Sequence, residues 1–269
     1  MNVVASLLVG LLCFAVRADA QLPGPPTVSL EALTWTELRE RISAGATTVL
    51  VPVGGTEQNG PHMTLGKHNV RVRVLAEKIA VALGNAIVAP VLAYAPEGTM
   101  NPPSSHMRFP GTITVSDAAF ESVLESAGRS LKLAGFRDVV FLGDHSSYQK
   151  NLQTVAARLN AEWKGSDVRA HAIVDYYATT QTAFVKALKE RGYSDAEIGT
   201  HAGLADTSLA LAVDPALVRN ERLHSGAGFA VSDGVHGDPR RASAELGSMG
   251  VNAIVARTVD AIRKATARH

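Results

Sequence analysis

Four short, mostly apolar runs punctuate the chain, at 47–53, 86–92, 139–142 and 168–174. They are continuous rather than alternating, which is the pattern of strands covered on both faces, as in a parallel sheet. Between and after them, apolar residues at helical spacing predict helices over 69–83, 116–134, 149–163, 180–191 and 242–266. Strand and helix in alternation predict α/β layering with crossover connections. Ser116-Asp117 can cap the second of these helices, and Gly135 follows its last apolar positions as a stop. In such sheets ligands bind beyond the carboxyl ends of the strands. Glu57 and His145 each follow a strand at that end, so both are expected to project toward one crevice.

The first twenty residues read differently. An apolar run at 3–16 precedes Arg17-Ala18-Asp19-Ala20, whose small residues at 18 and 20 suit a signal peptidase. The run is shorter than the roughly 20 residues of a spanning helix. Residues 1–20 are therefore read as an export signal, 21–32 as a linker and 33–269 as one hydrolase-sized domain, with a periplasmic or secreted destination. Cys13 lies in the signal and is the single cysteine, so the mature chain is expected to have neither disulfide nor thiolate chemistry. The 26 basic and 25 acidic residues nearly cancel, and no basic run is longer than Arg240-Arg241. That balance gives nucleic acid no electrostatic reason to bind, and no later stretch is long enough to cross a bilayer. A small-molecule substrate fits better.

Candidate chemistry gathers in a few places. Glu57, His62 and His68 follow the first strand, His145 ends the third, and His201 and Asp206 share the segment Thr200-His-Ala-Gly-Leu-Ala-Asp-Thr-Ser208. Imidazoles and carboxylates meeting at one sheet edge suit Zn²⁺, Mn²⁺ or Fe²⁺. Each is also compatible with a solvated loop residue, since such side chains are mostly exposed. Gly54-Gly55 follows a strand but lacks the patterns of phosphate-binding loops, and Ser146-Ser147 lacks a nucleophile elbow.

Four ordered segments carry a resemblance. Val51-Pro-Val-Gly-Gly-Thr-Glu-Gln-Asn-Gly-Pro-His-Met63, His106-Met-Arg-Phe-Pro-Gly-Thr112, His201-Ala-Gly-Leu-Ala-Asp-Thr-Ser208 and Gly234-Val-His-Gly-Asp-Pro239 resemble signatures of the creatininase (creatinine amidohydrolase) family, over about 33–262. The resemblance implies a three-layer α/β/α sandwich with a mostly parallel central sheet, assembled into homo-oligomers, that opens cyclic or formyl amides at a two-metal centre. Family members ligate through a Glu, a His two residues later, a metal-bridging Asp further on and a His ending a later strand. Glu57 and His145 match the first and last of these, whereas Asn59 stands in place of the His and His68 in place of the bridging Asp.

A carboxylate can bind a metal through each oxygen, but a neutral imidazole offers one lone pair. His68 is therefore a poor bridge, and Ser147 stands where some members place a second-metal Glu. The expectation is one divalent ion per chain (Zn, Mn or Fe) on Glu57, His68 and His145, the second ion losing most of its cage. Asp206, which replaces a ligating Glu of other members, either completes that site or orients a neighbouring His. His201 matches the position of proton transfer and is the candidate catalytic residue. His106, Asn59 and Ser147 are candidates for contacting substrate, His106 with the alternative of capping a turn.

The leading expectation is thus an exported hydrolase that uses metal-activated water on a C–N bond of a small cyclic amide or related compound. A lactone would suit the same site. A binding or assembly protein without catalysis is the non-enzymatic alternative. Iron-dependent oxidation ranks last, because no cosubstrate site is visible.

Overall fold

The computed structural model describes residues 27–225 and 229–267. The expected export signal and residues 21–26 of the linker lie outside the described residues. Among the described residues, no helix is long and apolar enough to cross a membrane.

Strands β1 (Thr48–Val53), β2 (Ala86–Val88), β3 (Asp138–Gly143) and β4 (Arg169–Ala172) form one parallel sheet in the order β2-β1-β3-β4. The flanking helices are α1 (Trp35–Ser43), α2 (Lys67–Leu83), α3 (Asp117–Ala134), α4 (Gln149–Glu162), α5 (Asp175–Gln181), α6 (Ala183–Lys189), α7 (Asp195–Ile198), α8 (Leu204–Val213), α9 (Asn220–Leu223) and α10 (Ala244–Thr266). The Ser116 side chain accepts from Ala119 N–H at the start of α3, and Gly135 closes its end at φ 108°.

Three differences from the sequence-based expectations have local causes. The run at 86–92 is a strand over Ala86–Val88 only, because Pro90 has no N–H for a ladder; Leu92 rejoins β1 through a bridge to Val53. The helix expected at 180–191 is two helices, broken at Thr182 (φ −117°, ψ −81°). Helix α8 lies in a segment, Leu204–Val213, whose apolar residues surround the axis and leave no stripe to recognise.

Alternate residues of the central strands serve opposite faces. Val49, Val51, Val53, Val139 and Phe141 pack with Phe120, Leu124, Leu152 and Val155 of α3 and α4. On the other face, Leu50, Val140 and Leu142 pack with Val72, Leu75 and Ile79 of α2, backed by α8 and α10. The result is the three-layer α/β/α sandwich. Complete burial of a Val or Leu contributes roughly 1.5–3 kcal/mol, so these central strands anchor the loops at their carboxyl ends.

The contact of α8 with α10 depends on Gly247, where an added Cβ would collide with the carbonyl oxygen of Ser208. Overpacking against a backbone atom cannot be relieved by a rotamer change. Gly247→Ala is expected to lower unfolding free energy by about 2 kcal/mol or more, read as a lower urea midpoint at unchanged slope. An unchanged midpoint would show that the helices separate freely here.

Candidate metal centre

The site lies where the first and third strands end. The loop after β1 carries Glu57, Gln58 and Asn59; the first five residues of α2 include Lys67, His68 and Arg71; Asp144 and His145 follow β3. The long loop after β2 brings in Glu97 and His106, and the chain entering α8 brings His201 and Asp206. Two glycines permit this convergence. A Cβ on Gly54 would collide with Asn69, and one on Gly55 would lie 2.5 Å from Glu97 Oε1.

Glu57 is fully buried, and its two oxygens have different neighbours. Oε1 lies 2.8 Å from His68 Nε2, 3.8 Å from His201 Nδ1 and 3.9 Å from Lys67 Nζ. Oε2 lies 3.2 Å from His106 Nε2 and 3.4 Å from His145 Nε2. Glu97, 2 % exposed, completes this second side, its Oε2 being 3.8 Å from His145 Nδ1. Glu57, Glu97, His106 and His145 each offer a ligand atom within 4.8 Å of all the others. Glu97 escaped the sequence analysis because a Glu in a Pro- and Gly-rich loop has no ligand spacing; its only signal is its place beyond a strand's carboxyl end.

Other candidates face different partners. His68 contacts Asp144 Oδ2 through Nδ1 at 2.6 Å as well as Glu57 through Nε2, so its two nitrogens lie between two carboxylates. Asp206 accepts from Lys67 Nζ at 2.5 Å, from Arg71 Nη1 at 2.6 Å and from Ala202 N–H at 3.1 Å. Asp144 is held in turn by Arg71 and by the Tyr176 hydroxyl. Asn59 is buried, and its amide donates to the carbonyls of Glu57 and Thr64, bracing the loop. His62 bonds Thr207 and packs against Phe229.

Hydrogen bonds orient the rings. His145 Nδ1 accepts from Ser147 N–H at 3.2 Å and lies 2.8 Å from Ser147 Oγ, which itself donates to the Pro96 carbonyl at 2.9 Å. Ser147 thus anchors the Nδ1 edge of the ring, and Nε2 faces Glu57 Oε2 at 3.4 Å. His201 Nε2–H donates to the Gln58 carbonyl at 3.0 Å, which leaves the lone pair on Nδ1. Gln58 Oε1 accepts from Gly60 N–H, so its NH₂ turns to His106 Nδ1 at 3.0 Å and the proton of neutral His106 sits on Nε2.

Burial and charge set the protonation states. Burial opposes ionisation of Glu57, but His145, His68 and Lys67 beside it outweigh that and hold it well below the usual carboxylate range. Burial and the adjacent Glu57 push Glu97 up to about 9. Burial brings His145 down to about 3 against the opposing pull of Glu57. Burial and then Lys67 bring His201 down to about 4. For Asp206, burial is outweighed by Lys67 and Arg71, which keep it well below its ordinary value.

This donor set fits a divalent cation. Apart from the proton that Glu97 shares with Glu57, no aligned donor from another described residue reaches Glu57 Oε2 or either oxygen of Glu97, although all three atoms are buried. Buried carboxylate oxygens are stable only when paired or coordinated. Two carboxylates and two imidazoles are a ligand set for Zn²⁺ or Mn²⁺. The centre opens into a cleft of about 870 Å³ whose wall includes His106, His145, His201, Tyr177, Thr180 and Gln181. A cleft of that size admits a small molecule.

Comparisons with known proteins agree with this architecture. The creatininase family, described as creatinine amidohydrolase, matches residues 31–262. Creatinine amidohydrolase from Pseudomonas putida is 27% identical over 257 residues, covering 88% of this chain and 97% of that protein. The mycofactocin precursor peptide peptidase of Mycolicibacterium smegmatis is 30% identical over 220 residues, covering 74% of this chain and 77% of that protein. The 3-dehydro-scyllo-inosose hydrolase of Thermotoga maritima is 28% identical over 208 residues, covering 73% and 60%. Among solved structures, a creatinine amidohydrolase superposes with a TM-score of 0.72 at 26% identity, covering 91% of this chain and 100% of that one. A creatininase described as the Mn form reaches 0.70 at 27% identity, covering 90% and 100%, and a mutant described as Zn-Zn type reaches 0.71 at 26%, covering 90% and 99%. By sequence and by fold, this chain belongs to the creatininase family.

Proposed function

We propose that the chain is a hydrolase acting on a C–N bond of a small cyclic amide or related compound, with one divalent ion held by Glu57, Glu97, His106 and His145. The observation that carries this reading is the pair of buried carboxyl groups, three of whose oxygens have no aligned donor from another described residue, set beside two imidazoles. Family membership and the hydrolase relatives support the reaction class. A bound ion would polarise a carbonyl and acidify a water.

The remaining steps belong to the chain. With Gln58 as it stands, Glu57 offers lone pairs, as would Glu97 once its proton is displaced and His145 Nε2 once its proton sits on Nδ1, and His106 Nε2–H can donate to a substrate oxygen. His106 joins the ligands when the Gln58 amide turns over and its oxygen accepts from Nδ1–H. Ser147 orients the His145 ring through Nδ1. His201 is neutral at neutral pH and carries its lone pair on Nδ1. It takes a proton there from the attacking water and passes it to the leaving nitrogen.

Metal analysis of the purified protein together with a panel of cyclic amides and lactones tests this. The expected outcome is about one Zn²⁺ or Mn²⁺ per chain and hydrolysis of an amide in the panel that stops on chelation and returns with metal. A folded protein that takes no ion at saturating Zn²⁺ or Mn²⁺ would falsify the metal reading. Turnover of lactones alone would move the bond to C–O.

A further inference from the structure

Lys67 opens α2 yet has a side chain only 1% exposed. Its Nζ lies 2.5 Å from Asp206 Oδ2 and 3.9 Å from Glu57 Oε1, at the wall of the same cleft. Glu57 therefore stands between two cationic positions. Its Oε2 faces the four-residue ligand cluster, and its Oε1 faces an ammonium that belongs to the chain.

A carboxylate with a separate neighbour for each oxygen is suited to link two cations. The pull on a cation at Oε1 is strong, because the carboxyl groups of Asp206 and Glu57 converge there on one Nζ. A lysine in that place supplies positive charge that no chelator removes. It also fills the space, and Coulomb repulsion across a few ångströms of buried protein opposes a second divalent ion beside it.

We propose that the Lys67 ammonium takes the place of a second metal ion, so that the centre comprises one exchangeable ion and one fixed cation bridged by Glu57. An ammonium carries three donors. One meets Asp206 and a second points toward Glu57, which leaves the third for an oxygen in the cleft. The substrate oxygen that a second ion would hold is held here by a hydrogen-bond donor of fixed charge. This inference rests on the single-ion reading above, and its test separates the two.

The experiment titrates chelator-treated wild type and Lys67→Ala with Mn²⁺, counts bound ions, and records electron paramagnetic resonance of the loaded proteins. Wild type is expected to saturate at about one ion per chain with the signal of an isolated Mn²⁺. Lys67→Ala is expected to take a second ion at Glu57, Asp206 and His68, raising the count to about two and producing an exchange-coupled signal. An exchange-coupled pair in wild type overturns the Lys67 proposal while leaving the ligand cluster intact. So does a folded Lys67→Ala protein that still stops at one ion. No ion in wild type overturns the single-ion reading and this one with it. Should Lys67→Ala fail to fold, Lys67→Ser leaves the same space beside Asp206 with a polar side chain, and the same count applies: about two ions support the proposal and one overturns it.

Discussion

Glu57→Gln is expected to lower affinity for Zn²⁺ or Mn²⁺ by at least about 100-fold, since loss of even an outer partner of a metal ligand typically costs 10–100-fold. Hydrolysis by the purified protein should fall below detection with it. Glu57 touches both halves of the site, with His68 and Lys67 at Oε1 and His106 and His145 at Oε2. A Gln keeps the volume but removes the charge, and its NH₂ must face one of the two sides. The substitution also leaves Lys67 and His68 beside a neutral group in a buried setting. Breaking a buried pair from one side costs about 3–5 kcal/mol, so a lower melting temperature should accompany the lost affinity. Titration of the folded fraction separates the two effects. Retained affinity in Glu57→Gln would place the ion elsewhere.

Glu97→Gln is expected to split into a metal effect and a pH effect. The carboxyl of Glu97 is pushed from the ordinary 4.5 up to about 9 by burial and by Glu57. At neutral pH the folded, ion-free protein therefore holds a proton that the unfolded chain has released. Stability from this group is fully present below pH 4.5 and is lost as pH rises through about 9. Gln mimics the protonated acid at every pH. The chelated variant should melt near wild type at pH 5 and above wild type at pH 9. Ion binding is the converse. In wild type a bound ion would displace the Glu97 proton, so calorimetry at pH 7 in buffers of different ionisation enthalpy should show its release. The variant should release no such proton and bind at least about tenfold more weakly. Equal pH slopes in the two chelated proteins would remove Glu97 from the charged centre.

How much of this was legible beforehand varies with the physical origin of each feature. The central strands and α2, α3, α4 and α10 were visible because apolar periodicity is a local property of the chain. The place of the site was visible as well, since Glu57 and His145 stand immediately after strands that run in parallel. Helix α1 had a capping box in plain view, Thr34 with Glu37, which the apolar pattern passed over. Family signatures pointed to His106 and His201 as residues of the site, and the structure lines the cleft with both.

What the residues by themselves determined is the sandwich, the crevice at the strand ends and the kind of side chains that meet there. Only the tertiary structure decided which atoms face one another: Glu97 across from Glu57, Asp206 turned to Lys67 and Arg71, and a lysine enclosed where solvent would be expected. Those pairings join loops far apart in the chain, and their protonation follows from burial and near charges, neither of which a periodic pattern or a motif contains.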